Sequence, residues 1–152
     1  MREESLRTRV WRHGFNLFPA YRGTGGRVTH IAADWSTVRI RLPLSWRTRN
    51  LVGTIFGGSL YGAVDPFYMV MLMKRLGDDY TVWDKAAEIR FKKPGEETLY
   101  AEFQVPDDEV ASIREELSPG ESLDRVYDVA LVDEDGTVHA TCEKTLYIRE
   151  DE

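Results

Sequence analysis

The sequence predicts an α+β fold in which an antiparallel sheet covers one long central helix. Residues 57–76 are apolar nearly all round, which marks a helix buried on several sides. Six other segments alternate as strands do, two before that helix and four after it. The 152 residues make one domain by size, 1–152, large enough for a real core and without a linker-like stretch.

Residues 3–18 place Leu6, Val10 and Leu17 with Trp11, Phe15 and Phe18 at mixed three- and four-residue spacings, an amphipathic helix ended near Pro19 and weakened by Gly14. Its Arg-rich polar side leaves two uses open. One is binding to a membrane surface; the commoner one is docking of the apolar side onto the protein's own sheet. Residues 1–25 comprise this helix and a lead-in. After Gly23-Thr-Gly-Gly26, residues 27–34 and 36–44 read as two strands, the second alternating Val38, Ile40 and Leu42 with Thr37, Arg39 and Arg41. Beyond the central helix, strands follow at 83–92, 98–105, 125–132 and 138–149. A short acidic helix at 107–117 separates the two pairs, and Asp133-Glu-Asp-Gly136 makes a hairpin turn between the last two strands.

A composition of 42% hydrophobic and 30% charged residues is that of a soluble globular chain. The N-terminus lacks the apolar core of a secretory signal, and the longest uncharged run, 50–64, is broken by glycines and stopped by Asp65. No membrane span is expected, and the chain is placed in the cytoplasm. The single Cys142 lies in a strand pattern without a motif and reads as a core thiol, in keeping with a reducing compartment. Residues 1–49 hold ten Lys/Arg against three Asp/Glu, whereas residues 50–152 hold ten against twenty-three. Such a division argues against a general nucleic-acid surface and leaves room for a local phosphate contact in the first third.

Within the apolar stretch from Leu51 to Met73 only Asp65 is charged. An ionised carboxylate is costly to bury unless it is paired or hydrogen-bonded, so Asp65 is a candidate site. Pro66 follows it, removes the hydrogen bond to the Gly62 carbonyl, and should kink or break the helix. Two readings stay open: the break exposes the carboxylate to a cleft, or Asp65 caps a second helix that starts at Pro66. Gly53, Gly57 and Gly58 allow close backbone approach, and a helix starting at Gly57 offers unpaired N–H groups suited to an oxyanion; a plain tight turn is the alternative. Ser59 lacks the second glycine of a nucleophile elbow, where Tyr61 stands, and His13, His30 and His139 lack metal-ligand spacing, so no metal is expected.

Asn50, Gly57-Gly58 and Asp65 stand in the spacing Asn-x5-His-Gly-Gly-x6-Asp, and Ile89-Arg-Phe-Lys-Lys-Pro-Gly95 follows as a strand with a Pro-Gly turn. In these features the chain resembles the hotdog-fold acyl-CoA thioesterases of the phenylacetate-pathway type, over about residues 26–149. It looks most like the uncharacterised branch, a domain of unknown function, that carries Phe-Gly-Gly where the thioesterases carry His-Gly-Gly. The resemblance implies a hotdog fold, with Asp65 as general base or nucleophile, a Gly57 or Gly58 amide polarising the thioester carbonyl, and Asn50 placing water or substrate. Phe56 stands at the histidine position and exchanges no proton.

The resemblance also implies a homodimer, or a dimer of dimers, joined sheet edge to sheet edge, with Asp65 facing Asn50 of the partner subunit. The substrate would be a thioester of coenzyme A or of an acyl carrier, with no cofactor beyond that coenzyme A. Thr54 and Phe56 join the substrate-binding candidates. Strand parity over 83–91 sets Lys85 on the apolar face with Trp83, Ala87, Ile89 and Phe91, near enough to pair with Asp65; the alternative is a lysine snorkelling at the strand end. Lys92 and Lys93, with Arg39, Arg41, Arg47 and Arg49, are candidates for coenzyme A phosphates, ordinary surface charge being the alternative. Tyr61, Phe67, Tyr68, Met69 and Met71 either line an acyl tunnel or simply belong to the core. The leading function is acyl-thioester hydrolysis. Against it stand an acyl-binding protein without turnover, favoured by Phe56, a purely structural or regulatory dimer, and, more weakly, a hydratase.

Overall fold

The computed structural model describes residues 2–152. Its elements are α1 Leu6–Leu17, α2 Pro19–Arg22, β1 Arg27–Ile31, β2 Thr37–Leu42, α3 Gly57–Val64, α4 Phe67–Leu76, β3 Tyr80–Phe91, β4 Leu99–Gln104, α5 Asp107–Glu116, β5 Ser122–Val132 and β6 Val138–Glu150. The six strands form one antiparallel sheet in the order β1-β2-β4-β5-β6-β3. Between β4 and β5 only Tyr100 and Val132 pair.

The expected central helix is two helices. Asp65 keeps helical angles (φ −53°, ψ −53°), but Pro66 ends the ladder and α4 starts anew at Phe67. Side-chain donors reach two carbonyls around the break. The buried Tyr21 hydroxyl donates to the Ala63 oxygen at 2.8 Å, and the Lys144 ammonium donates to the Asp65 oxygen at 3.1 Å. Inward-facing Val38, Ile40 and Leu42 of β2 meet Leu60, Val64, Phe67 and Met71 of the helix pair in one hydrophobic cluster. Phe67 lies at its centre, with ring centroids 5.0 Å from Phe103, 5.3 Å from Tyr21 and 5.5 Å from Phe15.

α1 begins with a capping box between Ser5 and Thr8 and lies along β1. Asn16 acts as a substitute strand partner, accepting from the Val28 N–H at 2.7 Å and donating to the Val28 carbonyl at 2.9 Å. Glu4 accepts the Ile31 N–H at 3.0 Å, so the β1 edge of the sheet is covered. The docking of α1 differs from the expectation. Thr8 is buried and Phe15 packs against the core, while Leu6, Val10, Leu17 and Phe18 face outward. At the other edge β3 is twelve residues long and pairs only with β6. Among the described residues no helix is long and apolar enough to cross a membrane. Cys142 is buried on the inner face of β6, where burial pushes its thiol pKa up, as suits a core thiol.

Candidate active site

The turn leading into α3 is tied by Asn50. Its Oδ1 accepts the Val52 and Thr54 N–H groups at 3.1 and 3.0 Å, and its Nδ2 donates to Thr54 Oγ1 at 2.8 Å. Gly53 completes the turn at φ +86°, a conformation that favours glycine. Both residues expected at the site therefore also hold their own loop. Phe56 follows as the N-cap of α3 without capping it through a side chain. Among the described residues, the N–H groups of Gly57 and Gly58 have no hydrogen-bond partner. A helix start with two free amides favours a developing oxyanion.

Asn50, Thr54, Gly57, Lys92 and Lys93 line one cavity of about 360 Å³ with Phe91, Pro94 and Gly95. The Phe56 ring covers the second glycine: a Cβ built on Gly58 would lie 2.5 Å from Phe56 Cε1. The far wall of the cavity is pinned by His139, whose Nδ1 is 2.9 Å from the Pro94 oxygen and whose Nε2 is 2.9 Å from Asp133 Oδ2. Burial disfavours the imidazolium, but the Asp133 carboxylate and the Pro94 carbonyl outweigh it, and the His139 pKa stands above its ordinary 6.5. The same contact holds Asp133 below the usual carboxylate range.

Asp65, eight residues beyond Gly57, lies elsewhere in the chain's own structure. At 1.5 Å per residue the two are about 12 Å apart along the helix. Asp65 and Tyr61 line a second cavity, about 230 Å³, beside Phe15, Phe18 and Tyr21. Asp65 Oδ1 accepts the Tyr61 hydroxyl at 2.6 Å and the Lys144 ammonium at 3.0 Å. Asp65 Oδ2 makes no hydrogen bond to the described residues, and the side chain is 45% exposed. One oxygen is thus fixed and the other is unbonded, on a half-exposed side chain that lines the cavity. The capping reading does not hold, because α4 has no side-chain cap.

Lys144 is completely buried and also reaches the Tyr61 hydroxyl at 3.2 Å and Asp84 Oδ1 at 3.0 Å. The last is an ion-pair distance without hydrogen-bond alignment, and it leaves that buried Asp84 oxygen unbonded. Burial alone would lower the Lys144 pKa, but its hydrogen bonds to Asp65 and Tyr61 and its ion pair with Asp84 prevail and raise it above the ordinary lysine value. Burial pushes the Asp84 carboxyl up, Lys144 opposes this, and Asp65 adds to it. Tyr61 is raised by burial and by its bond to Asp65.

Sequence reasoning named the wrong lysine. Lys85 pairs with Asp124 at 2.8 Å, more than half exposed, because a bulge between Asp84 and Ala86 shifts the register of β3 against β6. The exposed Trp83 likewise leaves the face assigned to it, whereas Phe91, beyond the bulge, keeps that face in register with Ala87 and Ile89 and lines the cavity with Gly57. Tyr68 is a core residue: it stacks on Tyr127 and donates to the Asp128 oxygen at 2.6 Å. Phe67 and Met71 are fully buried beside it. Lys144 and Asp84 were missed. For Lys144 a signal existed, since Cys142, Lys144, Leu146 and Ile148 share one strand parity that is otherwise apolar.

A family model described as a domain of unknown function, DUF4442, matches residues 8–148. No curated protein matches the chain. Among solved structures, a protein of unknown function and probable thioesterase from Pseudomonas aeruginosa superposes with a TM-score of 0.80 at 19% identity, covering 97% of this chain and 98% of its own. A protein of unknown function from Chlorobaculum tepidum gives 0.74 at 14% identity over 95% of both chains. A thioesterase from Haemophilus influenzae gives 0.71 at 12% identity, covering 98% of this chain and 94% of its own. At these identities the likeness carries the mixed α+β fold.

Proposed function

We propose that this chain, which belongs to the DUF4442 family, is a hotdog-type hydrolase of acyl thioesters of coenzyme A or an acyl carrier, with Asp65 as general base or nucleophile. One observation carries the reading. Asp65 lines a cavity at a helix break, held by Lys144 and Tyr61 through Oδ1, while Oδ2 makes no hydrogen bond to the described residues. A carboxylate fixed on one side and free on the other can take a proton from water or attack a carbonyl directly. The free Gly57 and Gly58 amides supply the complementary part, an oxyanion hole at the start of α3. Lys92 and Lys93 stand at the same cavity for the coenzyme's phosphates. The thioesterase neighbours in Pseudomonas and Haemophilus agree with this class of chemistry.

The two halves of the site lie in separate cavities of one chain, so the reading includes a dimer in which Asp65 meets Asn50 of the partner subunit. The covered edge at β1 and the long unpaired edge at β3, with Trp83 and Phe91 exposed, favour joining through β3. Sedimentation is expected to give a dimer, and a monomer at micromolar concentration would count against this part. Acyl binding without turnover is the second reading, supported by the Phe56 ring over Gly58. Thiol release from a panel of acyl-CoA esters separates the two. Turnover that depends on Asp65 supports hydrolysis; binding of a non-hydrolysable acyl-CoA with no turnover supports the alternative.

A further inference from the structure

The outward face of α1 carries exposed apolar residues that neither the core nor the proposed chemistry uses. Leu6, Val10 and Leu17 are 77%, 64% and 68% exposed. At 100° per residue they fall within about 40° of one another, a single stripe along the helix. Phe18, at the C-cap of α1, and Trp11 extend the exposed apolar surface. Arg9 flanks the stripe on one side and Arg7 on the other, with exposed His13 between them in projection.

The local charge is one-sided. From Ser5 to Ala33 the sequence holds five arginines and no Asp or Glu, although the whole chain carries −6. Glu4 lies nearby, but it is spent on Arg12 at 2.8 Å and is only 13% exposed, with Arg9 at the limit of its reach. Arg7 has no ion pair among the described residues. Lys74 of α4 adds a cation where it sits 4.1 Å from the Trp11 ring centroid. Beside the stripe runs an apolar groove of about 350 Å³ lined by Trp11, Gly14, Phe15, Phe18 and Val70. It shares Phe15 and Phe18 with the cavity that Asp65 lines.

We infer that α1 is an interfacial helix that seats the protein on an anionic lipid surface. An apolar stripe bordered by arginines is the pattern of a helix lying in the headgroup plane, with its apolar side toward the acyl chains and its cations toward lipid phosphates. Charge complementarity selects an anionic surface over a neutral one. The inference goes beyond the proposed hydrolysis and does not need it.

Co-sedimentation of the full chain with vesicles tests it without any turnover. Vesicles of phosphatidylcholine with about one third phosphatidylglycerol should pellet the protein, pure phosphatidylcholine vesicles much less, and high salt should reverse the difference. Arg7→Gln with Arg9→Gln should weaken binding by roughly thirtyfold, about fivefold for each cation at the surface. Leu6→Ser with Leu17→Ser should abolish it, and circular dichroism should be unchanged because both side chains are exposed. Equal binding to both vesicle types, or none to either, overturns the inference. So does a smaller sedimenting mass for the Leu6→Ser, Leu17→Ser protein, which would make the stripe a contact between copies of this chain.

Discussion

Replacing Lys144 with Met keeps most of the buried stem and removes only the ammonium. Three oxygens then lose a hydrogen bond, namely Asp65 Oδ1, the Asp65 carbonyl and the Tyr61 hydroxyl, and Asp84 loses its counter-ion. Breaking a fully buried ion pair costs about 3–5 kcal/mol. Here the ammonium is fully buried, but the Asp65 and Asp84 side chains are 45% and 26% exposed, so water recovers part of the loss. We expect about 2–4 kcal/mol, which for a chain of this size lowers the thermal midpoint by roughly 5–15 °C.

The pH dependence has a definite sign. The folded Asp84 carboxyl already binds its proton more tightly than the unfolded one, so its unfavourable burial as an anion is relieved as pH falls toward its raised pKa. Loss of Lys144 enlarges that effect, and the deficit of Lys144→Met should be smaller at about pH 5 than at about pH 8. Adding Asp84→Asn should recover stability at the higher pH. Urea unfolding of the wild type, both single variants and the double variant measures all three effects. A loss below about 0.5 kcal/mol would refute the reasoning, since that is the range of an ordinary surface change. A deficit that does not vary with pH would refute it as well.

Two further expectations concern the other cavity. Because the His139 pKa is raised on folding, its contribution is fully present below pH 6.5 and is lost as pH rises through the folded value. The thermal midpoint should therefore carry a falling component above about pH 6.5 that His139→Gln and Asp133→Asn each remove, and an unchanged profile in both variants would contradict it. Phe56 is 57% exposed, so Phe56→His should alter stability by less than about 0.5 kcal/mol. By restoring a proton-exchanging group beside the free amides, it should raise acyl-CoA turnover at least about tenfold in the thiol-release assay. No gain there would detach the histidine position from the chemistry.

The sheet was legible because its strands alternate. In β2 the dry face of Val38, Ile40 and Leu42 is the buried face, and the acidic start of α5 and the Asp133–Gly136 turn sit where their residues demand them. Pro66 announced the helix break. The partners of Asp65 were harder to see, because Lys144 is 79 residues away and is brought close only by folding β6 beneath α3. Parity alone favoured Lys144 and Lys85 equally, and the bulge that turns Lys85 out leaves no mark in the sequence. The orientation of α1 was ambiguous for a related reason. Its apolar residues occupy both sides of the helix, so spacing could not say that Phe15 faces in while Leu6, Val10 and Leu17 face out. Nor could the motif spacing tell that Asn50 and Asp65 line different cavities of the same chain.

The central claim is that the free oxygen of Asp65 performs the chemistry. The direct measurement is thiol release from acyl-CoA esters by the wild type and by Asp65→Asn, an isosteric change that keeps a group between Tyr61 and Lys144. The account predicts turnover by the wild type and a loss of about 10²–10⁴-fold in the variant, the share usually carried by a positioned general base. Equal turnover in the two proteins, or no turnover by the wild type on any ester, would contradict it.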